Sequence, residues 1–168
     1  GGTREGSGEG TAMADQVVDE IVLPAIGIDW KEALRANAAS ANGVLLEHPW
    51  AATEWTRRMP GPARTRYMNA LLHVLTDAGL PGALVYKGYH ALTMHIVGFT
   101  QQQIAYRQVM DGDLTELAEA FLDSIADRFP HMAHHVREHL DGTHDDCDEF
   151  GFVLDLILDG LDSAAHDD

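Results

Sequence analysis

The sequence predicts an all-α domain, a helical bundle, and three observations carry that prediction. Apolar residues recur at i, i+3, i+4 and i+7 along most of the chain. Prolines, glycines and acidic caps fall at the breaks between these stretches. No segment has the alternating apolar and polar pattern of a good strand. With 168 residues the chain is sized for one domain with a real core.

The elements follow in order. The glycine-rich opening, GGTREGSGEG, has no large apolar side chain, and a flexible leader is expected over 1–11. A first helix is expected in AMADQVVDEIVLPAI, with Met13, Val17, Val18, Ile21 and Val22 on one face and Pro24 ending it. In DWKE, Asp29 and Glu32 form a capping-box pattern: the Asp29 carboxylate accepts from first-turn amides and Glu32 reaches back. That helix runs through Leu34, Ala38, Ala41 and Leu45 to His48. Pro49 stops it and opens the next, PWAATEWTRRM. After the turn MPGP, Tyr67, Leu71, Leu72 and Leu75 share a helix face; Gly79 closes that helix and Pro81 opens another.

The helix over 81–107 is unusual. Between Gly82 and Tyr106 its only formal charge is Lys87. Leu84, Gly88, Ala91, His95 and Gly98 make a stripe of mostly small residues, which lets another helix approach closely. Val85, Tyr89, Leu92, Ile96 and Phe99 make a second, bulky stripe. Asp113 and Glu116 then cap a helix carrying Leu114, Leu117, Phe121, Leu122 and Ile125, which Pro130 ends. A short His-rich helix over 131–140 and the loop DGTHDD lead to a closing helix that starts near Asp145 or Asp146. In it Phe150, Val153, Leu154, Ile157, Leu158 and Leu161 repeat at helical spacing, while Phe152 and Leu156 widen the apolar arc past one stripe. Such a helix needs cover on two sides. Residues 164–168 read as a disordered acidic tail.

Composition excludes several functions. Twenty-seven acidic and 11 basic residues give a formal net charge of −16, which repels nucleic acid. A single cysteine, Cys147, allows no internal disulfide and fits a reducing cytoplasm. No apolar run is long enough for a membrane span. GxSxG, Walker and GxGxxG patterns are missing, so no enzymatic chemistry is expected. His131, His135 and His139 share a helical face, and two His at i, i+4 can hold a metal. Without HExxH or ExxH this reads as a solvated face, and neither metal nor cofactor is expected.

Three stretches taken in sequence order carry a family resemblance: DWKEALRANAASANGVLLEHPWAA, GPARTRYMNALLHVLTDAGLPGALVYKGYHALTMHIVGF and DEFGFVLDLILDGLD. With its HPW turn, its AGL helix end and its terminal FGFVLDLILDGL, the chain resembles the C-terminal regulatory domain of the tetracycline-repressor family of bacterial transcriptional regulators. The resemblance covers 12–163 and implies an all-helical domain with an interior cavity for a small molecule. It also implies a homodimer built on a four-helix bundle of the closing helix and the 81–107 helix. Gly88, Ala91, Gly98, Phe150, Val153, Leu154, Ile157 and Leu161 are the expected interface residues. Trp55, Met59, Tyr67, Met94, His95, Phe99 and Gln103 are the expected ligand contacts, between the 29–47, 49–58, 62–78 and 81–107 helices. The carboxylate surplus favours a neutral or cationic, hydrophobic or aromatic effector unless Arg57, Arg58, Arg64 or Arg66 turns inward. Family members begin with a helix-turn-helix domain, and the glycine-rich stretch stands in its place here. Operator DNA is therefore expected to be reached only through a domain these residues lack. The alternatives are a small helical-bundle enzyme or metal protein using His131, His135 and His139, and a dimerisation module with a solid interior.

Overall fold

A computed structural model of the chain describes residues 6–55, 59–110, 115–142 and 146–167. Among them are eight helices and no strand: α1 (Gly6–Val18), α2 (Trp30–Glu47), α3 (Pro49–Glu54), α4 (Pro62–Asp77), α5 (Gly82–Met110), α6 (Thr115–Ile125), α7 (Pro130–Leu140) and α8 (Asp146–His166). The breaks fall where the local chemistry places them. Asp29 Oδ1 accepts from the Glu32 amide at 3.0 Å and starts α2. Prolines open α3, α4 and α7. Gly79, at φ 81°, takes the left-handed turn that ends α4.

Several boundaries differ from expectation. Helix α1 begins at Gly6, inside the expected leader, and stops at Val18 rather than near Pro24. Once Val17, Val18 and Ile21 are buried, helix extends towards the N-terminus at a cost of about 1 kcal/mol per glycine. At its other end, Asp19, Glu20 and Ile21 donate to carbonyls three residues back, which tightens and closes the helix. Met13 and Val22 stay exposed. Helix α8 continues to His166, through part of the expected tail, because Ala165 packs against the core. The expected cap at Asp113 and the start of its helix at Leu114 lie outside the described residues. So do Arg57, Arg58, His144 and Asp145.

Helix α5, about 43 Å long, organises the bundle. It packs against α2, α3, α4 and α8. Leu34, Leu45, Leu71, Leu75, Leu92 and Leu158 are fully buried between these helices, each worth roughly 1.5–3 kcal/mol of transfer free energy. Three buried polar side chains are satisfied. Asn37 donates to the Val22 carbonyl at 2.7 Å, and Asn42 donates to Thr100 Oγ1 and Gln103 Oε1 at 2.8 and 2.7 Å. The two Asn42 bonds fix the register of α2 against α5. Helix α8 lies on α5 and is clasped by α2: Lys31 reaches Asp159 and Asp162, and Arg35 reaches Asp155.

The cover over α8 is half supplied within the chain. Phe150, Leu154, Leu158 and Leu161 are buried, while Phe152 and Leu156 are 62% and 59% exposed. Helix α6 is also less covered than its pattern predicts. Ile125 is buried, but Leu117 and Phe121 stand open because α6 packs chiefly on α7.

Candidate functional site

The nearly charge-free length of α5 forms one wall of a cleft of about 470 Å3. Tyr89, His90, Thr93, Met94, Val97, Gly98 and Gln101 face it, turn after turn. Helix α4 supplies Arg64 and Met68, and the residue after α3 supplies Trp55. Nothing lies within 4 Å of where a Cβ on Gly98 would stand, so this glycine widens the cleft.

Arg64 is turned inward. Its guanidinium carbon lies 5.3 Å from the Trp55 ring centroid, a cation–π distance. Burial lowers its pKa, with Tyr89 and Asp15 opposing; a guanidinium starts so far above neutrality that it stays charged. The Tyr89 hydroxyl is pushed up by burial, with Arg64 pulling it back. Arg64 is held in place from α1. Asp15 accepts from the Ala63 and Arg64 amides at 2.8 and 3.0 Å and so caps α4 across the fold. Gly61 makes room for that carboxylate: a Cβ there would stand 2.5 Å from Asp15 Cγ.

A second cleft of about 660 Å3 continues along α5, between Pro49, Trp50 and Thr53 of α3 and Ile104, Ala105 and Gln108. Gln101 belongs to both clefts and donates to the Ala52 carbonyl at 3.0 Å, tying α5 to α3. A small hollow between α1, α3 and α4 holds only about 20 Å3, room for no more than a water.

The expected ligand contacts divide. Trp55 and Met94 line the main cleft. Met59 is 85% exposed and borders the small hollow. Tyr67 is buried behind Trp55, edge-on at 5.5 Å, with its hydroxyl on Asn37. Gln103 is committed to Asn42. His95 and Phe99 face α8, where His95 stacks on Phe150 at 4.7 Å and pairs through Nε2 with its carbonyl at 3.0 Å. A carbonyl only accepts, so His95 carries its proton on Nε2. Of the α5 residues expected at the ligand, only Met94 lies on the cleft side, together with Tyr89, His90, Val97 and Gln101, whereas His95, Phe99 and Gln103 point elsewhere. Arg64 and Met68, at i, i+4 on α4, were the missed signal.

The expected interface residues divide too. Phe150, Leu154 and Leu161 are buried within the chain, Leu161 against Gly88. Ala91, Val153 and Ile157 are half-buried, and Gly98 lines the cleft. His131, His135 and His139 are exposed on α7.

Residues 23–164 match the family described as "Tetracyclin repressor-like, C-terminal domain". An HTH-type transcriptional regulator of Saccharopolyspora erythraea is 33% identical over 125 residues, 71% of this chain and 51% of that protein. The HTH-type transcriptional repressor DrrR1 of Streptomyces coeruleorubidus is 26% identical over 142 residues, 79% of this chain and 52% of that protein. The chain thus spans about half the length of the curated relatives it matches. The fold is similar to that of the TetR family protein ActR of Streptomyces coelicolor in complex with actinorhodin. That match has a TM-score of 0.74 at 23% identity, over 94% of this chain and 76% of ActR. The chain belongs to the tetracycline repressor-like family, whose C-terminal domain its residues 23–164 form.

Proposed function

We propose that this chain is the effector-sensing and dimerising part of a TetR-type transcriptional repressor, with its effector bound in the cleft between α3, α4 and α5. One observation carries the reading: Trp55, Arg64, Tyr89 and Met94 converge on the same opening. Aromatic and thioether surface beside a few oriented polar groups is the usual make-up of a small-molecule site. ActR, which has a similar fold, forms a complex with actinorhodin. The inward Arg64 revises the expected ligand charge. It favours an aromatic compound with an acidic or electron-rich edge, despite the chain's surplus of carboxylates.

Dimerisation is assigned to the outer face of α8, where Phe152 and Leu156 are open and Val153 and Ile157 flank them. A copy of the same face would remove both from water. With a net charge of −16, operator contact is assigned to a helix-turn-helix part outside these residues. This reading gives the chain no catalytic role and a bacterial cytoplasmic setting. None of the described helices is long and apolar enough to cross a membrane.

The test is a thermal-shift screen of small aromatic compounds, repeated on Trp55→Ala and Arg64→Met. A binder at 100 times its dissociation constant stabilises the fold by about 2.7 kcal/mol. Both substitutions are expected to shrink that shift. Hits that bind both variants as well as the parent would move the site elsewhere.

A further inference from the structure

The histidine face of α7 has a geometry that the sensing function leaves unused. His135 and His139, one turn apart, bring their Nε2 atoms to 3.1 Å, with ring planes at 86°. Tyr106, near the end of α5, stacks on His139 and places its hydroxyl 3.4 Å from the same Nε2. All three side chains are exposed. Without a cation, one imidazole must point its Nε2–H at the other's lone pair, and two imidazolium rings would repel at this distance. A cation offers a different solution. Imidazole nitrogens bound at about 2.05 Å are about 2.9 Å apart at a right angle and about 3.3 Å apart at the tetrahedral angle. The observed separation falls between these values. The hydroxyl distance is close to a tetrahedral edge as well.

We propose that His135 and His139 chelate a divalent transition cation of the zinc or copper type, with the Tyr106 hydroxyl facing a third position and solvent completing the shell. Imidazole is a good ligand for these ions, and helical i, i+4 spacing sets both rings without backbone change. His131, one turn earlier, makes no ring contact with the pair among the described residues and stays outside the site. The cation has a structural consequence. Helix α7 packs on α6, and the Tyr106–His139 stack is where that helical pair meets α5. Binding clips the α6–α7 pair to the end of α5 that walls the second cleft.

Calorimetric titration of the whole chain with zinc chloride at about pH 7.5 tests the site. One equivalent per chain is expected. His135→Ala and His139→Ala should each weaken binding by more than the roughly tenfold that loss of an outer-shell partner costs. Both positions are exposed, so circular dichroism should stay unchanged. Glu20, Glu47 and His48, whose ligand atoms lie within 4.8 Å of one another, are the competing site, and His48→Ala should leave the isotherm intact. Loss of binding in His48→Ala but not in His139→Ala overturns the proposal, as does the absence of heat at millimolar zinc. Amide exchange across α6 and α7 should slow when zinc is added. Unchanged exchange overturns the clip.

Discussion

Leu161 closes on Gly88 so tightly that a Cβ at position 88 would lie 2.8 Å from Leu161 Cδ1 and 3.1 Å from Cδ2. This contact sets the spacing of α5 and α8. Gly88→Ala meets only the far end of a flexible side chain, and alanine is worth about 1 kcal/mol over glycine inside a helix. The two effects should nearly cancel. Gly88→Val carries more bulk than Leu161 can clear and should destabilise by about 1–3 kcal/mol. Urea midpoints check both. A valine variant as stable as the parent would mean that this glycine does not set the spacing.

Asp15 is expected to matter more than a surface carboxylate normally does. Its loss leaves the Ala63 and Arg64 amides without their cap. Asp15→Ala should cost about 1 kcal/mol, within the 0.5–2 kcal/mol range of N-cap deletions. Urea denaturation reads that cost. The same variant should weaken any effector that relies on Arg64, because the first turn of α4 positions it.

His95 should make the α5–α8 contact sensitive to acid. Burial holds its pKa below the ordinary value, and the bond to the Phe150 carbonyl opposes that only in part. As pH falls through about 6.5, the unfolded chain takes up the proton before the folded one. The contribution is therefore complete above that pH and shrinks below it. His95→Gln keeps an N–H donor but does not titrate. The stability difference between parent and variant should change between about pH 7 and 5. Parallel curves would assign the acid sensitivity to another group.

Leu156→Asp should convert the proposed dimer to a folded monomer. The residue is 59% exposed within one chain, so a charge there spares the chain's own core. Sedimentation velocity reads the mass and circular dichroism the fold. A dimer that survives both Leu156→Asp and Phe152→Asp has its interface elsewhere.

Helix order and most boundaries were legible because caps and prolines act locally. Asp29, Pro49, Pro62, Gly79 and Pro130 each work within one turn of their own position. Side-chain direction was less legible. Gln103 looked like a cleft residue until Asn42, 61 positions earlier, claimed its oxygen. Arg64 looked like a solvated arginine, because nothing near it in sequence shows Trp55 waiting under the guanidinium. The carboxylates of α8 find their partners, Lys31 and Arg35, more than a hundred residues away, where no local pattern shows them. Periodicity marks which face is apolar but not which neighbour covers it.

The clasp between α2 and α8 gives ionic strength a double role. Added electrolyte screens the pull of Lys31 and Arg35 on Asp155, Asp159 and Asp162. It also screens the mutual repulsion behind a net charge of −16, which acts over the whole surface. The attractions are few and short-ranged, and the repulsions are many and distributed. Moderate salt should therefore raise the melting temperature of this domain, whereas a charge-balanced bundle with the same clasps would lose stability. Dissolved counterions thus loosen the clasp on α8 while steadying the domain as a whole.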